Sequence, residues 1–361
     1  MPDSVNSNSI NAAVENAAAK IAEAAANRAP LVLQGGGGKS FYGNPAAGEV
    51  LDLSALCGVR EYEPSELYIA AGAATPLADI ETLLAKHNQM LAFEPPHYSP
   101  RATIGGALAC GLSGPRRPAA GALRDHILGA GIIDGRGKTL QFGGKVIKNV
   151  AGFDVSRLMA GALGVLGAIT EVVFRTAPRP ECEITATMEC TAANAIAADA
   201  DMLAAGLPLS GAAWHGGQVW RRFSGGEESL RRAVAECGGD VLDDEEQRDF
   251  WRAINEHQHP FFGGEENLWR LAVPAISPPQ NGDDFIEWHG AVRWRRGDAA
   301  AAKSSAQKSG GAATLFRAQN PNANERFPLP APPVFKIYRN LKKAFDPEDI
   351  FNRGRLYDFS Q

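Results

Sequence analysis

Four consecutive glycines, Gly35, Gly36, Gly37 and Gly38, follow directly on the apolar stretch Leu31-Val32-Leu33-Gln34 and lead into Lys39 and Ser40. Residues without Cβ atoms let several backbone N–H groups converge on one anion. A strand that runs straight into such a loop reads as a phosphate-binding nest; the competing reading is a flexible surface loop. Two nucleotide motifs fail locally. A P-loop would fit Gly38-Lys39-Ser40, but Leu33 occupies its first glycine position. A Rossmann fingerprint begun at Gly35 places Ser40 at its third glycine. Gly43, Pro45 and Gly48 then break any following helix.

Two more segments share this texture. SPRATIGGALACGLSGPRRPAAG contributes Gly105, Gly106, Gly111, Gly114 and Gly121; KVIKNVAGFDVSRLMAGALGVLGAIT contributes Gly152, Gly161, Gly164 and Gly167. Three glycine-lined segments in one compact domain are expected to wrap a single long ligand rather than to be independent linkers. Composition narrows the class further. A net charge of −5 argues against a nucleic-acid partner. No apolar run reaches the roughly 20 residues of a membrane helix. The opening MPDSVNSNSINAAVEN lacks the basic start and apolar core of a secretory signal. The five cysteines (Cys57, Cys110, Cys182, Cys190, Cys237) form no C-x-x-C pair, which predicts reduced thiols, a cytoplasmic setting and no cluster or metal site in this chain.

Periodicity predicts helices over 11–28, over 77–90 after Pro76, and over VFKIYRNLKKAFD, with strands at 31–34, 50–56 and 67–73. Residues 100–175 read as strands with tight connections. Residues 276–284 and 303–312 read as loops, and PLPAPP (328–333) as an extended linker. The expected organisation is α+β: a glycine-rich domain over 1–178, a small α+β cap over 179–333, and a helix and tail over 334–361 that return to the first domain.

The order GGGGKS-x-x-G, ATIGG, SGP, LRDHILG and AGFDVSRLMAGALGVLGAIT resembles the FAD-binding domain of the vanillyl-alcohol oxidase and p-cresol methylhydroxylase superfamily. Together with FYGNP, FEPPHY and GLSGPRRP, it is most similar to the FAD-binding subunits of bacterial glycolate oxidases. The likeness covers residues 30–178 and the tail FDPEDIFNRGRL. It implies a domain of two α+β subdomains followed by a cap. It also implies FAD with its pyrophosphate on Gly35 to Ser40, and Thr103, Gly105, Gly106, Gly111 and Ser113 near the flavin or ribityl chain. Gly152 and Ile169 would border the dinucleotide. Many relatives bond the flavin covalently through a histidine after the glycines; Lys39 stands there, so noncovalent FAD is expected. Where members read N-P-G in the tail, this chain has Asn352-Arg353-Gly354. The resemblance further implies oxidation of a small 2-hydroxy acid, glycolate to glyoxylate, within a complex. An iron–sulfur subunit and a second flavin subunit would be its partners, with any membrane contact peripheral.

Such chemistry needs a base for the hydroxyl proton and cations for the carboxylate. His97 in FEPPHY is a flavin-site candidate or a structural loop histidine. A strand over EWHGAVRWRR would place His289, Arg293 and Arg295 on one face, either as an anion-binding cap wall or as an exposed basic strand. Arg116 and Arg117 are carboxylate or partner contacts, or solvated loop arginines. His257 and His259 have the spacing of two metal ligands but lack a third. The H-x-G-D-G-N-x-H metal motif of larger relatives is absent, which argues against oxidation by this subunit alone and favours the alternative of a noncatalytic electron-relay or structural subunit; a self-sufficient FAD oxidoreductase for another alcohol or hydroxy acid is the other alternative.

Overall fold

The computed structural model describes residues 7–144, 154–280 and 284–359. The first helix, Ser7–Asn27, turns Ile10, Ala17, Ile21 and Ala24 inward, the spacing of one apolar helix stripe. Those residues share a core with Leu31, Leu51, Ile133, Ile350 and Phe351. This core seats the parallel pair Leu31–Gln34 and Glu49–Asp52.

Beside it lies a five-stranded antiparallel sheet in the spatial order Val59–Glu63, Tyr68–Gly72, Ala168–Arg175, Ile127–Ile133, Thr139–Gly143. Helices Leu77–Ala85 and Ile104–Cys110 bury their apolar sides in its core. The second of these departs from the expected run of strands through 100–175. Thr103 caps it by accepting from the Gly106 N–H at 3.1 Å, and left-handed Gly111 (φ +64°) ends it. A Cβ on Gly105 would stand 2.6 Å from that of Ala73. Gly105 therefore serves close packing against the neighbouring segment, which outweighs its poor helix propensity.

The third unit is an eight-stranded antiparallel sheet. Its order is Asp240–Val241, Cys182–Glu189, Gln218–Gly225, Leu209–His215, Phe285–Glu287, Val292–Arg296, Leu268–Ala272, Ala312–Arg317. Alternation along the strands divides its faces. Leu268, Trp294 and Phe316 join a core with Tyr42, Tyr98 and Leu112 of the first half of the chain. Trp269, Leu271 and Leu315 instead pack on Ala302 and Ala306. These two alanines belong to the helix Ala299–Lys308, which corrects the expected loop over 303–312. That segment has no large apolar residue to mark a stripe; two buried alanines four apart suffice to seat it.

The last helix begins at Pro332, inside the expected linker, because prolines are tolerated in a first helical turn. Lys342 fixes the tail from within. Its buried Nζ donates to the carbonyls of Val165 and Phe351, each at 3.1 Å, and pairs with Asp346 and Asp349. Asn352 then accepts from the Leu33 N–H at 2.9 Å and donates to the Leu163 carbonyl at 2.7 Å. The tail thus holds the end of the strand from which the glycine loop springs.

Candidate functional site

Beyond Gln34 the chain leaves its strand and the loop folds on itself, Ser40 N–H donating to the Gly37 carbonyl at 3.1 Å with Gly37 at φ +71°. The N–H groups of Gly36, Gly37, Gly38 and Lys39 have no acceptor among the described residues. They line an open cleft that encloses about 1010 Å³, mouth included. Arg355 secures the loop's far end by donating to the carbonyls of Ser40 (2.8 Å) and Tyr42 (2.7 Å). The loop lies hard against residues 99–103. A Cβ on Gly36 would fall 1.6 Å from the Arg101 carbonyl oxygen, and one on Gly38 would fall 2.7 Å from the Ser99 Cβ. Only glycine permits this path. A row of unpartnered amides beside an ammonium fits a diphosphate, and the rest of the cleft is apolar, as a flavin dinucleotide requires.

Gly35 to Ser40, Thr103, Gly105, Gly106 and Ile169 all line this cleft. Gly111 and Ser113 line the neighbouring chamber instead, and Gly152 lies outside the described residues. Lys39 is buried, donates to the His97 carbonyl at 3.4 Å and stands 5.9 Å from the Tyr98 ring. Burial holds its pKa below the usual lysine value.

Cys110 lines both the cleft and a second cavity of about 1070 Å³, also open to solvent. One wall comes from Tyr42, Tyr98 and the stretch Gly111–Pro115 with Arg117; the other comes from Arg270, Glu287, Trp288, Trp294 and Phe316. Arg117 stands 4.5 Å and Arg270 4.8 Å from the Trp288 ring. Asn255 and His257 complete the chamber. His257 stacks on Phe262 at 4.1 Å. Burial first, and then the charges of Arg317 and Arg270, push its pKa well below the usual value, so it is neutral. Burial raises Glu287 to about 7, although the Trp294 indole N–H donates to it.

The four residues expected to act on substrate are placed elsewhere. Arg116 is buried, and its guanidinium is occupied by Glu94, Ser224 and Glu183; it ties the glycine-rich segment to the large sheet. Arg293 is sealed under a loop, donating to the carbonyls of Pro278 (2.9 Å) and Ser277. His289 is not on a strand with Arg293. It sits in a left-handed turn (φ +55°) with Nδ1 3.2 Å from the buried Asp199. None of these three lines the cleft or the chamber. The reason is general: a buried charge survives only with partners, so these side chains face protein acceptors and not a ligand. His97 opens onto a third recess, its Nε2 3.1 Å from Glu81, a contact that raises its pKa. Among the described residues no cluster of three His, Cys, Asp or Glu side chains could hold a metal ion.

Arg270, Asn255 and Trp288 were not singled out from the sequence, and His257 was weighed only as half of a metal pair. A lone arginine in the strand Leu268–Ala272 carries no local mark of what lies across from it.

Known proteins agree with this geometry. A model of an FAD binding domain family matches residues 12–143. The glycolate oxidase subunit GlcE of Escherichia coli (strain K12) is 41% identical over 342 residues, 94% of this chain and 95% of that protein. The glycolate oxidase subunit GlcD of Bacillus subtilis (strain 168) is 29% identical over 162 residues, 44% of this chain and 34% of its own length. A D-lactate dehydrogenase of Archaeoglobus fulgidus is 27% identical over 151 residues, 42% of this chain and 34% of its own length. Among solved structures, alkyldihydroxyacetonephosphate synthase superposes with a TM-score of 0.66 at 15% identity, covering 94% of this chain and 74% of that one, a likeness of fold. No helix among the described residues is long and apolar enough to cross a membrane. FAD is the cofactor. With a full-length likeness to GlcE and a glycine cleft shaped for a dinucleotide, the chain belongs to the family of FAD-binding glycolate oxidase subunits.

Proposed function

We propose that this chain oxidises a small 2-hydroxy acid, glycolate in the first instance, to the 2-oxo acid at noncovalently held FAD. It would then pass the electrons to an iron–sulfur partner beside a second flavin subunit. The observation that carries this reading is the junction at Cys110, where the dinucleotide cleft meets a chamber walled by two arginines and a neutral histidine. Bound FAD supplies the acceptor for the substrate's hydride. The unpartnered amides of Gly36 to Lys39 would hold its pyrophosphate, and the buried Lys39 adds positive charge at the end of the loop. His257, neutral and enclosed by Phe262, Trp294 and Phe316, is placed to take the hydroxyl proton.

The test is anaerobic addition of glycolate to the purified chain and to the assembled complex, following the visible flavin band. Bleaching supports oxidation here. An unchanged band in both preparations, with FAD bound, assigns the chain to electron relay. Acid precipitation of the same samples should leave the flavin in the supernatant; flavin in the pellet would contradict the noncovalent attachment argued from Lys39.

A further inference from the structure

We propose that Arg117 and Arg270, set against the Trp288 indole, form a carboxylate clamp, and that Asn255 and His257 receive the polar group on the neighbouring carbon. This rests on the hydroxy-acid reading for its substrate and assigns the residues that would select that class.

Four observations converge. First, neither guanidinium has a carboxylate within ion-pair distance or a hydrogen-bond acceptor among the described residues; both stand over the Trp288 indole, at 4.5 and 4.8 Å, and Arg270 also lies 6.0 Å from the Trp294 ring. By contrast, the buried Arg116 is paired with Glu94 and Glu183, the buried Arg221 with Asp199, and the half-buried Arg295 with both oxygens of Asp284. Second, the two cations are close enough that Arg270 helps to depress Arg117, after burial. Such repulsion is relieved by an anion between them. Third, Asn255 Oδ1 and His257 Nδ1 have no hydrogen-bond partner among the described residues. Both residues line this chamber, and a small turn of either side chain toward a ligand there would give the unpaired atom a partner. Fourth, Tyr98, His257 and Trp288 all adopt left-handed backbone (φ +54°, +52° and +54°). Side chains bear that conformation at a cost and keep it where the surroundings hold it.

The one carboxyl in the wall, Glu287, is buried and accepts from Trp294 instead of pairing with Arg270. The arginines therefore remain available to a carboxylate from outside. A guanidinium recognises a planar carboxylate through parallel N–H donors. Two of them flanking an indole, beside an amide and an imidazole that can each donate or accept, fit a short acid carrying an oxygen on the adjacent carbon.

Oxalate, which has no hydrogen to lose as hydride, tests the clamp without turnover. It would be titrated into the FAD-loaded full chain, following the flavin spectrum and, independently of the flavin, the rise in Tm. Saturable binding is expected, at least tenfold weaker in Arg117→Gln and in Arg270→Gln, with FAD content unchanged and Arg353→Gln behaving as wild type. Trp288→Leu removes the platform and leaves both charges, so it should weaken oxalate similarly even if an arginine variant folds poorly. Failure of the wild-type chain to bind oxalate, or equal affinity in the variants, overturns the clamp. If glycolate still bleaches the flavin at unchanged concentration in those variants, oxidation stands and the clamp falls. If oxalate binding depends on both arginines while glycolate never bleaches the wild type, the clamp stands and the oxidation reading falls.

Discussion

Alanine at Gly36 should strip the protein of FAD while leaving it folded. The new Cβ would lie 1.6 Å from the Arg101 carbonyl oxygen and 2.8 Å from its carbon, both backbone atoms that cannot rotate aside. Relief requires the loop or the 99–103 segment to move by more than about 1 Å, an overpacking that typically costs about 1–3 kcal/mol. The loop is the softer of the two. Four of its amides make no hydrogen bond among the described residues, whereas Thr103 caps a helix and Ala102 donates to the Ser99 carbonyl at 3.0 Å. A displaced loop withdraws its donors from the pyrophosphate, so the cost falls on binding, about 5- to 150-fold in Kd. Gly226→Ala is the control: its Cβ meets only the Glu181 Oε2, at 3.5 Å, away from the cleft, and FAD affinity should change little. The assay is FAD titration of the stripped protein by flavin fluorescence, with Tm of the same samples. Wild-type affinity in Gly36→Ala, or a collapse in Tm with affinity intact, would refute the reasoning.

Two predictions concern stability. Lys342→Met leaves Asp346 buried without its cation; such a loss is worth about 3–5 kcal/mol, and urea unfolding should show a correspondingly lower midpoint. Glu287 gives a pH signature, since its folded pKa is raised from 4.5 to about 7 by burial. Below about pH 4.5 folded and unfolded chains both hold this proton; between 4.5 and 7 only the folded chain does. Its stabilising contribution is thus full at low pH and lost as pH rises through that window, by about 3 kcal/mol, with little change above. Glu287→Gln should be more stable relative to wild type at pH 8 than at pH 5 in denaturant titrations, and parallel pH curves for the two proteins would contradict the raised pKa.

The sequence by itself determined what depends on neighbours along the chain. The strand Leu31–Gln34, the glycine nest after it and the helix after Pro76 could be read from spacing and residue type, and the FAD family from the resemblance of its motifs. Backbone donors without side chains announce an anion locally. Even there the reading had limits: in Ile104–Cys110 Gly105 lets a helix fit against Ala73, and Ala299–Lys308 is a helix because two alanines face an apolar sheet. Only the tertiary structure decided which charged side chains are free to meet a ligand. Arg116 and Arg117 are adjacent in sequence and indistinguishable there. The fold gives the first two carboxylates and leaves the second beside an indole with Arg270, contributed from more than 150 residues away. Whether a buried charge is spent on the protein or kept for a substrate depends on acceptors brought together from distant segments, and no local pattern records that.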